Sequence, residues 1–287
     1  MSRVVCVGLA TLDSIFHVPH APEPGGRVVA SELVLAGGGP AATAAVTLAR
    51  LGIETSFVGA VGNDRIGTAV RDGLAEEGVD VSELAVVPGA RSPRSSILVD
   101  SRTAARTIVH YPGTVPRVEP SARAVELCRR AEWVHVDHAG YAAAPEGVRL
   151  SIDGGNPIPG LDLDGVALYA PTEAALVRTY GTAESALDAG AELVVVTRGS
   201  GGSTAYRRVD GTLEETEAPG FDVAAVSTLG AGDVFHGALL AQLVRAAPLL
   251  LALRVANLAA ALSCRALDGR SAIPTAAELD ERSSRWR

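Results

Sequence analysis

An α/β fold, with a mostly parallel sheet covered by helices on both faces, is the architecture the sequence predicts, and three observations predict it. Short apolar runs suited to buried strands alternate along the chain with segments of helical periodicity. The 287 residues include 31 glycines and are 47% hydrophobic, which suits close packing with many tight turns between strands and helices. No stretch approaches the roughly 20 uninterrupted apolar residues of a membrane helix.

The strand-like runs are Val4–Leu9, Ser56–Ala60, Trp133–Asp137, Val166–Ala170 and Leu193–Thr197. A helix is predicted from Pro40 to Leu51, where Ala41, Ala44, Ala45 and Leu48 share a face. Proline suits its first turn and Gly52 its end. A second helix has Ile66, Val70 and Leu74 four apart and stops at Gly78. A third spans about Ala231 to Arg245, and an alanine-rich helix follows through Ala252–Ala266. Two regions break this alternation. Ile15–Val18 with Arg27–Leu35, and Ser95–Asp100 with Arg106–Tyr111, alternate apolar and polar residues without flanking helices. That is the pattern of a separate small sheet with one wet face, or of two unrelated surface hairpins.

Composition narrows the function. A formal charge of −8 and 4% aromatic residues argue against nucleic acid as a partner. The N-terminal run lacks the basic start, apolar core and cleavage site of a signal peptide. Cys6, Cys128 and Cys264 are odd in number and far apart, as free thiols in a reducing cytoplasm would be. Cytoplasmic location, with no membrane partner, is therefore expected. The chain has no lysine. That excludes a P-loop lysine, a Schiff-base lysine and the strand lysine of protein kinases. If the chain handles ATP, backbone amides and arginines must hold the phosphates.

The densest chemistry lies in Ser227-Thr228-Leu229-Gly230-Ala231-Gly232-Asp233-Val234-Phe235-His236-Gly237-Ala238. A turn of such small residues leading into a helix lets an anion approach the free amides of the first turn, where the helix dipole adds about half a positive charge. Asp233 beside that hole is placed to take the proton of an attacking hydroxyl. The implied reaction is in-line transfer of a γ-phosphoryl group. Four residues alone leave a second reading open, in which Asp233 only caps the helix.

This segment resembles the C-terminal signature of ribokinase-like (PfkB-type) carbohydrate kinases. Gly37-Gly38-Gly39-Pro40-Ala41-Ala42-Thr43-Ala44 resembles their glycine-rich sugar-binding stretch. Val58-Gly59-Ala60-Val61-Gly62-Asn63-Asp64 and Val196-Thr197-Arg198-Gly199-Ser200-Gly201-Gly202 resemble two further family segments. The likeness spans the chain. It implies a ribokinase-like three-layer sandwich of residues 1–287 with a small β-sheet lid, inserted at about 14–35 and 91–112, that often serves as a homodimer interface. It implies ATP and Mg2+, and a sugar whose hydroxyls meet Asp13, Gly38 and Gly39. Asp233 would be the base, beside an anion hole of Gly230, Ala231 and Gly232. Thr197, Gly199, Gly201 and Thr228 would line the nucleotide. Asn257 matches a residue beside the adenine, and its position on an apolar helix also fits a satisfied core asparagine. Glu173, in Ala170-Pro171-Thr172-Glu173, matches a glutamate acting on magnesium indirectly, through water; a favourable helix-start charge is the plainer reading.

Three departures qualify this. Ser227 replaces the aspartate that in many relatives helps to hold a monovalent cation, so weak potassium activation is expected. Ala42 and Ala170 replace asparagines. A sugar- or nucleotide-sensing protein of kinase ancestry, or a nucleoside kinase, is the alternative function. Within the family the motifs are most similar to bacterial 6-deoxy-6-sulfofructose kinases. That likeness places Arg27 and His110 over the substrate and implies an acceptor with a negative group, although His138 stands where those kinases carry an arginine. His135 and His138 fall on opposite faces of a strand and show no metal-ligand spacing.

Overall fold

The computed structural model describes residues 3–283. A nine-stranded sheet runs in the order β13-β12-β11-β10-β9-β8-β1-β4-β5. Its parallel strands are β1 (Val4–Val7), β4 (Thr55–Gly62), β5 (Leu84–Val87), β8 (Trp133–Val136), β9 (Leu150–Asp153), β10 (Leu168–Ala170) and β11 (Leu193–Thr197). A hairpin of β12 (Ser203–Val209) and β13 (Thr212–Ala218) extends it antiparallel. The sequence reading found five of the seven parallel strands. It missed β5, an edge strand with two of its four residues exposed, and β9, whose Leu-Ser-Ile-Asp breaks the apolar run with polar residues.

Helices form two layers. On one face lie α1 (Pro40–Arg50), α2 (Arg65–Glu76), α6 (Ala231–Val244), α7 (Leu249–Ser263) and α8 (Ala276–Ser283). On the other lie α3 (Ala122–Arg130), α4 (Glu173–Thr179) and α5 (Ala183–Asp188). β1 shows why both faces must be covered: Val4 and Cys6 enter one core, Val5 and Val7 the other, and all are buried. All three cysteines are buried and free. Helix α1 carries alanine at 41, 42, 44 and 45, all fully buried, so it packs closely against α6. That contact sets the starts of α1 and α6 side by side at the C-terminal edge of the sheet.

The two irregular regions form one four-stranded sheet, ordered β3-β2-β6-β7, with β2 Thr11–Val18, β3 Glu32–Gly38, β6 Arg94–Asp100 and β7 Arg106–Tyr111. They are therefore a single lid and not unrelated hairpins. Two expectations need correction. Residues 27–30 are not strand; Arg27 is exposed in an irregular connection, and the strand begins at Glu32. Alternation offers Val28, Leu35, Ile97, Val99 and Ile108 as candidates for one exposed apolar face, but Ile97 and Val99 point inward, packing with Ile15 and Leu267. The strand register puts Leu33, Leu35 and Val109 on the outer face, at 55%, 64% and 68% exposure.

Candidate active site

Ligands of open parallel sheets bind beyond the C-terminal strand ends, and here one carboxylate ties those ends together. Asp137, fully buried after β8, accepts hydrogen bonds from four backbone amides: Leu9 (2.9 Å) after β1, Ala41 (3.1 Å) at the start of α1, and Ala139 (2.8 Å) and Gly140 (3.0 Å). Burial raises its pKa, and these amides and His138 pull it back.

Over this edge sits Asp13, the third residue of β2 and so part of the lid itself. It is buried, with hydrogen bonds from the side chains of Thr11 and Ser95, while its Oδ1 has no partner among the described residues. Burial raises its pKa; Thr11, Ser95 and the charges of Arg270 and His110 oppose the rise. Gly38 pairs beside it, and a Cβ there would fall onto the Asp13 carboxylate and 2.7 Å from Thr11 Oγ1. Gly39 follows as the residue that starts α1. His110 on β7 reaches the same place, its Nδ1 3.3 Å from Ser95 Oγ. His138 Nδ1 is buried and unpartnered. Behind the glycine strand lies Arg270, buried, donating to Gly38 O (2.8 Å) and Thr43 Oγ1 (3.2 Å). Its burial lowers its pKa to about 10.

The second carboxylate stands at the start of α6. Gly230 adopts a left-handed conformation (φ 73°), which turns the chain into the helix, and no side chain caps the first turn. Asp233 is half-buried in that turn. Burial and the nearby negative charge of Asp153 raise its pKa to about 7, against the opposing charges of His236 and Arg106. His236 is buried one helical turn on, its Nδ1 3.3 Å from Asp153 Oδ2. Asp153 is lowered to about 2, and His236 is raised despite its burial because Asp153 and Asp233 favour its cation. The charges of Asp13 and Asp233, like those of Glu77 and Asp268, favour the charged form of the Arg270 guanidinium.

Across the sheet, Thr197 ends β11 and its N–H donates to Pro171 O (3.0 Å). Gly199 and Gly201 form the tight turn after it. A bridge between Thr172 and Thr197 brings Glu173, exposed at the first position of α4, next to that turn. Thr228, ahead of Gly230, touches the lid. Asn257 is buried, its amide donating to Ala218 O and Pro219 O, each at 3.1 Å. Its amide is satisfied, as the plainer reading has it, and fixes the end of β13. Arg27 is not brought into contact with any of these residues.

The chain's likeness to known proteins agrees with this arrangement. Residues 1–150 and 169–276 match the pattern of the pfkB family carbohydrate kinases. The chain belongs to that family. This pfkB family kinase is 27% identical over 302 residues to the ribokinase of Haemophilus influenzae, with 95% of each chain covered. It is 30% identical over 293 residues to the ATP-dependent ribose-1-phosphate kinase of Halopiger xanaduensis, with 96% of each covered. Arabidopsis thaliana ribokinase, solved with ribose and ATP, superposes with a TM-score of 0.81 at 25% identity over 98% of both chains. As a pfkB kinase the chain is an ATP-dependent phosphotransferase with an alcohol group as acceptor.

Sequence reasoning passed over four residues of this kinase's site. Arg270 and Asp153 follow elements with no motif of their own, and Ser95 and Arg106 sit on lid strands where polar residues read as the wet face. For the two arginines the absence of lysine was the available signal, because a lysine-free kinase needs arginine wherever positive charge is used; for Asp153 and Ser95 the sequence carried none.

Proposed function

We propose that this kinase holds a sugar or sugar derivative between Asp13 and Asp233 and transfers the γ-phosphoryl group of ATP to one of its hydroxyls. Asp13, Gly38 and His110 fix the acceptor; Asp233 removes its proton; the amides of Gly230, Ala231 and Gly232 receive the developing charge. One observation carries this reading: a carboxylate raised to about 7 in the uncapped first turn of a helix. Such a base is poised close to neutral pH, and no side chain caps the amides beside it, of which Ala231 N–H makes only a long turn contact to Thr228 O (3.4 Å). Thr197, Gly199, Gly201 and Thr228 lie along the path of the nucleotide. No group of three or more metal-ligating side chains occurs among the described residues. Mg2+ therefore fits as a partner of the phosphates, with Glu173 reaching it through water and the ion screening phosphate charge.

Three finer points belong to the same reading. The protein works in the cytoplasm as a homodimer joined through the lid's outer face. Ser227 is buried and its Oγ accepts from Leu229 N–H (3.1 Å), which leaves it without the charge a potassium site needs. The acceptor carries a negative group, as the likeness to sulfofructose kinases implies.

The test is ADP release from Mg-ATP with D-ribose, D-fructose, 2-deoxy-D-ribose, inosine and sugar phosphates or acids as acceptors. Transfer to a sugar, with kcat/KM highest for an anionic one, is expected. Preference for inosine would make it a nucleoside kinase, and nucleotide binding without transfer would make it a sensor.

A further inference from the structure

Arg270 is the one arginine buried among the described residues, and no carboxylate there comes within 4 Å of its guanidinium. A buried charge without an ion pair is costly, so its retention points to a use. The side chain clips two elements together. Nη2 donates to Gly38 O (2.8 Å) at the end of β3, the root of the lid, and Nε to Thr43 Oγ1 (3.2 Å) on α1, in the body. Its own loop is fixed in turn. Asp268 Oδ1 accepts from the N–H groups of Arg270 and Ser271, each at 2.7 Å. From the far end of α1, Arg50 donates to Arg270 O (2.7 Å) and Ile273 O (3.1 Å) while paired with Glu77 of α2 at 2.5 Å.

The glycine strand is what lies between this cation and Asp13. Neighbouring residues of a strand point to opposite faces. A Cβ on Gly37 would fall onto Arg270 Nη1, and a Cβ on Gly38 onto Asp13 Oδ2. Guanidinium and carboxylate are thus held on either side of one strand that carries no side chains here, and a low-dielectric interior transmits the charge across it. Both partners feel it. Asp13 favours the charged form of Arg270, and Arg270 opposes the rise that burial gives Asp13. The other cation facing Asp13, His110, is pushed down by its own burial, so Arg270 is the charge that persists at neutral pH. Glu77, Asp233 and Asp268 are the further carboxylates acting on Arg270.

We propose that Arg270 is a positioning residue for the acceptor: through the Gly37–Gly38 layer it anchors the root of the lid and sets a positive charge behind Asp13, holding that carboxylate in place and ionised for the acceptor's hydroxyls. This rests on the kinase reading above. Asp13 Oδ1, buried and without a partner among the described residues, is the atom the arrangement keeps free. The same arrangement accounts for glycine at position 37, where any side chain would displace the guanidinium.

The experiment compares wild type, Arg270→Gln, Arg270→Lys and Gly37→Ala, with thermal melts to check folding. Asp13 is titrated by carboxyl 13C NMR, its signal assigned with Asp13→Asn. Turnover of Mg-ATP is measured with D-ribose and D-fructose, and ADP affinity by calorimetry. In Arg270→Gln the Asp13 midpoint is expected at higher pH, because a cation that favoured the carboxylate is gone. Its kcat/KM for the sugar should fall about tenfold or more, chiefly through KM, with ADP affinity kept within about threefold. Arg270→Lys should restore the midpoint, since it keeps the charge, and only part of kcat/KM, since lysine lacks the fixed fork that spans Gly38 and Thr43. Gly37→Ala should repeat the loss for the sugar, and it carries the comparison if Arg270→Gln does not fold. An unmoved Asp13 midpoint, equal losses for sugar and ADP, or a Gly37→Ala variant indistinguishable from wild type overturns the proposal. If wild type binds ADP but phosphorylates neither sugar, the Asp13 titration alone decides. If wild type does not bind ADP, the kinase reading falls and this proposal with it.

Discussion

A carboxylate in the first turn of a helix is normally stabilised as the anion by the helix dipole, yet Asp233 is raised to about 7. Burial and the Asp153 charge outweigh the dipole, and the site stores that cost in exchange for a base of useful strength. Asp233→Asn should therefore lower turnover about a hundredfold to ten-thousandfold while making the protein more stable at pH 8. The sign follows from linkage. The folded chain holds this proton more tightly than the unfolded chain, so the group's contribution is full below pH 3.8 and lost as pH rises through about 7. Asparagine escapes the loss, so melting curves should show a gain at pH 8, where about 2–4 °C corresponds to 1 kcal/mol, and a clearly smaller gain at pH 5, which lies between the unfolded and folded pKa values. An equal shift at both pH values would refute the assignment. For the same reason kcat/KM should rise with pH through about 7 in wild type. In His236→Gln, which removes a cation facing Asp233 and Asp153, the limb should move to higher pH. A limb that stays put would show that His236 does not tune the base.

Strand β3 ends in glycine because strand β2 places Asp13 against it. Gly38→Ala would force the Asp13 carboxylate off its position or push β3 away from Arg270. A misplacement of about 1 Å can cost on the order of a hundredfold. The expected result is a matching loss of kcat/KM for the acceptor with nucleotide affinity retained; equal losses for both would mean that the whole lid had shifted. This is also the scale at which the sequence was most and least legible. Helices α1 and α2 could be read within two residues because their apolar faces repeat and their termini carry Pro40, Gly52 and Gly78, and α6 and α7 within about three from their long apolar runs. Of the site, Asp13, Gly38 and Asp233 were readable because small residues and carboxylates clustered in motifs. Arg270 was not, since what it does depends on lying under a strand 232 residues away. Asn257 could be read either way, because its two carbonyl partners lie 38 and 39 residues away in sequence.

At the scale of the molecule, Leu33, Leu35 and Val109 form an apolar outer surface on the lid that nothing in one chain covers. Burying it in a second copy is the simplest solution, so light scattering should report a dimer at micromolar concentration. Leu35→Asp with Val109→Asp should give a folded monomer; a wild-type monomer would set the idea aside. The outer-face residues could not be separated from Ile97 and Val99 by alternation alone, because one edge of the lid lacked its true start at Glu32. Asp137 has a consequence in time. It links amides 128 and 96 residues away in sequence, so no local segment can assemble the floor of the site alone. Contacts of such separation form late, after the loop-closure entropy has been met. During refolding, helical signal should return before the capacity to bind an acceptor, and a newly made chain would stay blind to its substrate until β1, β8 and α1 have met.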